Sequence, residues 1–304
     1  MLSFLSTIVA LAAIYAVLTL ALNLHFGMGG LINFGIVAYF ALGAYSYAIV
    51  TQRPPSLLDQ YRFGLQWPPW AGILVAVVAA ICFALITGWP SLRLRTEYLA
   101  LTTFAFAEVL NSILLNDQRI GNGSRGLPAI YPPFADRIGG RSYNLYFMLA
   151  TLFVLVLVLL FQLRLARSPF GMTLRAIRDD ELAAASLGKR AQRFRLDAFL
   201  AGAAIAAIAG VMYAWYTSLV APGLFKASVT FTAFIALVLG GVGSNVGAIV
   251  GAFVLFGAQE AIRFLPLSSD AAQLISSLRL VPFGLVLILV LRFRASGLVG
   301  RWAP

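Results

Sequence analysis

The chain has 304 residues, 61% hydrophobic and 11% charged, with 22 Lys and Arg against 11 Asp and Glu. A mean hydropathy of +0.90 excludes a soluble globular protein, and several apolar runs reach the roughly 20 residues that cross a bilayer. The net charge of +11 would suggest nucleic acid in a soluble chain. Here much of it sits at the ends of apolar runs, where it orients a membrane protein, and no nucleic-acid partner is expected.

In chain order, apolar segments fall at about 4–22, 30–50, 70–89, 97–115, 145–163, 196–217, 228–242, 246–263 and 274–292. In lipid each must satisfy its backbone internally, so each is read as a helix. The expected fold is an all-α integral membrane protein, a helical bundle of about eight to ten membrane segments forming one transmembrane domain over residues 1–304. The first segment lacks a basic n-region and a small-residue cleavage site, so it is read as a retained span and not a signal peptide. Gly27, Gly29 and Gly30, followed by Asn33 and Gly35, make a Gly-rich entry to the second segment. His25 is the only histidine and Cys82 the only cysteine, which leaves no metal-ligand cluster and no intrachain disulfide.

Glu108 lies near the middle of 97–115. A carboxylate at membrane depth is costly and faces the protein interior or water. Two readings stand: a group on the translocation path, or a structural acid hydrogen-bonded to another helix. Thr102, Thr103 and Asn111 offer interhelical hydrogen bonds nearby. Glu97, Glu260 and Arg263 are near segment ends, where snorkelling explains them.

Residues 164–195 form a polar island carrying eight of the basic residues: Arg164, Arg167, Arg175, Arg178, Lys189, Arg190, Arg193 and Arg195. Such a block resists translocation and marks the cytoplasmic side. Counting segments from it puts Arg93, Arg95 and the C-terminal tail inside. The loops at 51–69 and 116–144 and the N-terminus then lie outside. The Gly/Pro-rich 116–144 loop reads as an exposed surface loop. Within the island, Ser168 and Pro169 predict a helix start and Gly188 a stop, with Leu174, Ile177, Leu182 and Ala185 roughly on one face. The helix is either a docking element for a partner or a solvated, lipid-surface loop.

Residues 228–263 are too long for one span: 36 helical residues would rise roughly 54 Å against a hydrocarbon core of about 30 Å. The stretch Gly240, Gly241, Gly243, Ser244 and Asn245 predicts a break, giving two short helices or a re-entrant pair. Broken helices at membrane depth line cavities and point to transport paths. Gly243, Gly247 and Gly251, four apart, serve equally for close helix packing.

Catalytic motifs are absent. There is no GxxxxGK[ST] phosphate loop, and GGVGSN at 240–245 lacks its lysine; no GxSxG or HExxH occurs. The chain is read as neither an enzyme nor an ATP binder.

The island's SPFGMTLRAIRDDELAAASLG (168–188) resembles the cytoplasmic loop of the branched-chain amino acid ABC transporter permeases. LRTEYLALTTFAFAEVL (94–110), ALVLGGVGSNVGAIVGA (236–252) and LTLALNLHFGMGGLINFGIVAYFALGAY (18–45) resemble the same family in the same order, and RTEYLALTT before the outward loop is closer to its M-type subunit. Met172, where the family often has arginine, and Ala295–Ser296 in RFRASGL are departures. The resemblance implies a multi-pass subunit of a bacterial inner-membrane importer, paired with a homologous second permease. It implies two cytoplasmic ATPase subunits that hydrolyse the ATP, and a periplasmic substrate-binding protein. Substrates would be branched-chain or other hydrophobic amino acids, or related small amides. On this reading Phe170, Gly171, Leu174, Arg175, Ile177, Arg178, Asp179, Glu181, Leu187 and Gly188 form the ATPase-docking loop. Asn33, Glu108, Gly240, Gly241, Gly243, Ser244 and Asn245 belong to the translocation path. The rival reading is a self-sufficient secondary transporter or channel coupled through Glu108.

Overall fold

The computed structural model describes residues 2–54, 61, 63–128, 130, 132–133, 141–263, 292 and 297–299. Among them, six helical stretches are long and apolar enough to span a bilayer, and two apolar helices are shorter. The long ones contain α1 (Leu2–Leu22), α3 (Pro69–Ser91), α4 (Thr96–Asn116), α6 (Arg141–Arg167), α9 (Ala191–Thr217) and α10 (Ala227–Gly240). The short ones are α2 (Ile36–Thr51) and the apolar part of α11 (Asn245–Arg263). The helical membrane class holds; among the described residues six stretches reach span length and two fall short of it, so eight to ten membrane segments are not confirmed, and of the predicted segment 274–292 only Arg292 is described.

The shortfall has local causes. α1 ends in a π-helical turn, Asn23–Met28, after which the chain stays non-helical until Ile36. Gly30 there adopts φ +67°, a conformation side chains resist, so the second helix starts six residues later than its hydropathy suggests. α10, at 14 residues, rises only about 21 Å.

α2 is buried along nearly its whole length. It packs on α9 through residues without bulk: a β-carbon on Gly43 would strike the Ala207 backbone, and one on Gly210 the Phe40 carbonyl. Small residues let helices close in where lipid supplies no hydrophobic drive. α1 lies behind α9 and contacts α6 and α11. α3 and α6 sit at the periphery with apolar outer faces, including Leu74 and Ile86 on α3 and Leu149 and Phe153 on α6.

At the end away from the island, the described part of the connection after α4 lies over the bundle, with Gly121, Asn122 and Leu127 buried and Gln118, Arg119, Ser124 and Arg125 exposed. It forms the short helix α5 (Gln118–Gly121) and strand β1 (Leu127–Pro128), which pairs antiparallel with β2 (Leu219–Val220). Leu127 is fully buried, and Gln52 Nε2 donates to the Pro128 carbonyl at 2.6 Å. Gly126, at φ +71°, lets the strand approach Val220 and Ala221. Composition marked the turns, but not the apolar ends of α2 and α9 that the loop covers.

Candidate coupling site

The island is two helices, α7 (Pro169–Asp179) and α8 (Glu181–Ser186), and not one. Ser168 caps α7 by accepting from the Gly171 N–H at 3.3 Å, and Pro169 occupies its first turn. Asp180, extended at φ −152°, breaks the run, and its carboxylate caps α8 at the Ala183 N–H, 2.9 Å. An Asp ahead of Glu-Leu-Ala is an N-cap signal, which the longer apolar pattern masked. Gly188, at φ +75°, ends α8 as expected.

Leu174 and Ile177 are 0% and 1% exposed and seat α7 on its own chain. Of the residues read as docking contacts, these two therefore lie off the open surface of α7. Gly171 is equally enclosed, against Leu165 and Ala166. Phe170 packs near Phe194 (centroids 5.5 Å), Arg175 Nη2 donates to the Ala166 carbonyl at 2.6 Å, and Glu181 pairs with Arg195 at 2.9 Å. These six residues hold the island on α6 and α9. The open surface instead carries Met172, Leu182 and Leu187, at 55%, 81% and 79% exposure, beside Asp179. Leu182 leaves the expected apolar face because the break at Asp180 reorients α8, and Ala184, not Ala185, is the buried alanine.

Arg178 joins the island to the bundle. Its Nη1 donates to the Gly27 carbonyl in the π turn, while Nε and Nη2 grip Asp179 Oδ1 at 2.9 and 2.8 Å. Gly30 must lack a side chain because the Arg178 stem crosses it. The π turn in turn meets the break between α10 and α11. Gly27 lies against Gly243, so closely that a β-carbon on Gly27 would collide with Gly243 and with Asn23 Oδ1. Asn23 Oδ1 accepts from the Gly243 N–H at 2.9 Å, and Asn23 Nδ2 donates to Asn245 Oδ1 at 2.8 Å. Thus the two Gly-rich stretches meet, and the α7 helix touches the first of them. The turn that follows α1 lies beside α7, so α1 runs toward the island end of the bundle.

Gly241 and Gly243 adopt φ +120° and +87° and carry the turn. Gly240 packs on Gly247, and Gly251 on the Ala236 carbonyl, so α10 and α11 form a tight hairpin. Ser244 Oγ accepts from the Gly247 N–H at 3.0 Å, capping α11. At the tail, Leu298 N–H and Val299 N–H donate to the Leu239 and Gly240 carbonyls, at 2.9 and 3.1 Å. The tail thereby satisfies carbonyls that α10 leaves orphaned, at the island end.

Asn33, placed on the path by the sequence, is fully buried within the chain. It accepts from the Gly35 N–H at 2.8 Å and donates to His25 Nδ1 at 3.1 Å. His25 Nε2–H then donates to the Phe199 carbonyl at 2.9 Å, and Gly202 leaves room for the ring. Sequence reasoning missed Asn23 and His25, because their partners are 222 and 174 residues away. Between the island and the break, Gly27, Met172, Arg178, Gly243, Ser244 and Asn245 line a cavity of about 500 Å³. Glu108 is elsewhere, half-exposed on the outer face of α4, with no hydrogen bond or ion pair among the described residues.

Across its length the chain matches the model of the branched-chain amino acid transport system permease component, over residues 4–291. The chain belongs to that family. Among relatives, the high-affinity branched-chain amino acid transport permease LivM of Escherichia coli is 30% identical, over 98% of this chain and 70% of that protein. The probable LivM of Methanocaldococcus jannaschii is 28% identical, over 94% and 90%. The LivH permease of Salmonella typhimurium is 29% identical, over 96% and 93%. As a member of the family this chain is a multi-pass membrane permease component and not an enzyme.

Proposed function

We propose that this permease imports a branched-chain or other hydrophobic amino acid across a bacterial inner membrane, as one of two related permease subunits. Two ATPase subunits dock from the cytoplasm on the open surface of α7 and α8 and hydrolyse the ATP. A periplasmic binding protein delivers the substrate. The relatives' names support the substrate class, with small amides as the neighbouring possibility for the same apolar path. The observation that carries the mechanism is the Arg178–Gly27 bond. A push on α7 reaches the π turn through that bond, and from there the α10–α11 break through Asn23, Gly243 and Asn245. Arg178 has a long stem, but that stem is packed over Gly30, and beyond it the path runs through backbone turns and short side chains.

Glu108 and its face of α4 meet the second permease. The outer faces of α3 and α6 suit lipid, whereas a half-exposed carboxylate in mid-span does not. This assigns Glu108 to the seam that encloses the path, as a hydrogen-bonding group and not a proton carrier.

The test is the complex reconstituted in vesicles with its ATPases and binding protein. Arg178→Ala keeps the ATPases bound and hydrolysing while labelled leucine uptake falls about tenfold or more, the loss of a charge-assisted hydrogen bond. Unchanged uptake overturns the transmission path, and competition by leucine, acetamide and urea ranks the substrate classes.

A further inference from the structure

The seam between α6 and α9 is open along most of its length. α6 packs on α1, and α9 on α2 and α3, which leaves a cleft of about 480 Å³ at bilayer depth. Its walls are apolar: Val154, Leu157 and Phe161 from α6, Ile208 and Met212 from α9, and Ile73 from α3. Trp215 lines the outer end of this cleft and also a second cavity of about 420 Å³, which continues the same seam between the outer ends of α6 and α9. That second cavity is mixed in character, with Ser6, Thr7, Tyr143, Asn144 and Ser218 supplying its polar groups. The Tyr143 hydroxyl is buried there and closes no hydrogen bond among the described residues, whereas the Trp215 indole N–H faces the Tyr47 hydroxyl. Buried donors left unpaired are rare, and each one calls for a ligand or a role.

The geometry points to a phospholipid held in this seam, with one acyl chain in the α6–α9 cleft and a phosphate or ester oxygen accepting from the Tyr143 hydroxyl, beside Trp215. The two ends match that molecule. A cleft with no polar wall at membrane depth takes hydrocarbon, while a neutral donor at its outer end takes an oxygen acceptor. A helix is about 10 Å across with its side chains, too thick for a cleft of this volume, so the occupant is a chain and not a span of another subunit. The inference is independent of which solute the permease carries.

The experiment is native mass spectrometry of the complex, purified in mild detergent, with phosphatidylethanolamine and phosphatidylglycerol as probes. The wild type retains one tightly bound phospholipid per copy of this chain. Ile208→Trp fills the cleft and abolishes that retention. Tyr143→Phe removes an oxygen that bonds to nothing among the described residues, so it leaves the delipidated complex as stable as before and weakens lipid retention about fivefold, one hydrogen bond's worth. The idea fails if both variants retain lipid as the wild type does, which marks loosely surrounding lipid only. It fails equally if a cysteine at Val158 cross-links to the second permease, which places protein in the cleft. Free phosphate that protects Trp215 without any lipid present would overturn the acyl-chain assignment.

Discussion

Asn23 joins two parts of the chain that are far apart in sequence. Its amide serves the Gly243 N–H and Asn245 together, both from a segment 220 or more residues away. Asn23→Ala leaves a backbone donor and a side-chain acceptor buried without partners. We expect a loss of about 2 kcal/mol or more, from the usual penalty for such groups, read as a lower melting temperature of the purified complex. Gly202→Ala makes a different test, because the added carbon lands on the His25 ring. Overpacking of that kind costs about 1–3 kcal/mol. If the variant melts with the wild type, the His25–Phe199 contact is not the fixed support described. None of these partners could be read from sequence, since a lone Asn or His in an apolar run has no local periodicity that names its distant acceptor.

At the scale of elements, the island separates seating from docking. Leu174→Asp puts a carboxylate where no water reaches, which costs several kcal/mol unless the group neutralises or the helix leaves its seat. The expected outcome is rapid protease cleavage between residues 168 and 190 with the membrane helices intact. Met172→Asp changes an exposed position, so the chain folds normally and loses co-purification of the ATPases. Retention of the ATPases by Met172→Asp would move the docking surface elsewhere. Sequence periodicity found the amphipathic stretch, but the apolar side of such a helix is the side its own bundle claims first. The cap at Asp180 was legible as an N-cap residue, and only the observed break shows that it ends one helix and starts another.

For the molecule as a whole, the informative residue is Glu108, on a face that its own chain leaves open. Glu108→Gln preserves shape and hydrogen-bonding capacity, so assembly with the second permease and ATP-driven uptake both persist. Glu108→Leu leaves the partner's polar group unpaired and weakens co-purification of the two permeases by about tenfold. Uptake in vesicles is the deciding measurement, run with ATP or with a proton gradient alone. Uptake that runs on the gradient without ATP would restore a coupled carrier in place of an ATP-driven one.

Composition and the length of apolar runs determined the membrane class, the helical backbone and the order of the helices, because a bilayer admits only segments that satisfy their own hydrogen bonds. Charge placed the island on one side, and the glycines at 240–243 marked the hairpin, because both are local properties. Tertiary structure alone decided that the second helix begins at Ile36, that Gly27 meets Gly243, that Leu174 faces inward, and that Arg178 links the island to the first Gly-rich turn. These rest on close approach between segments far apart in the chain. In an apolar sequence many faces are equally hydrophobic, so the choice among them falls to the small residues and buried hydrogen bonds that only the assembled bundle brings together.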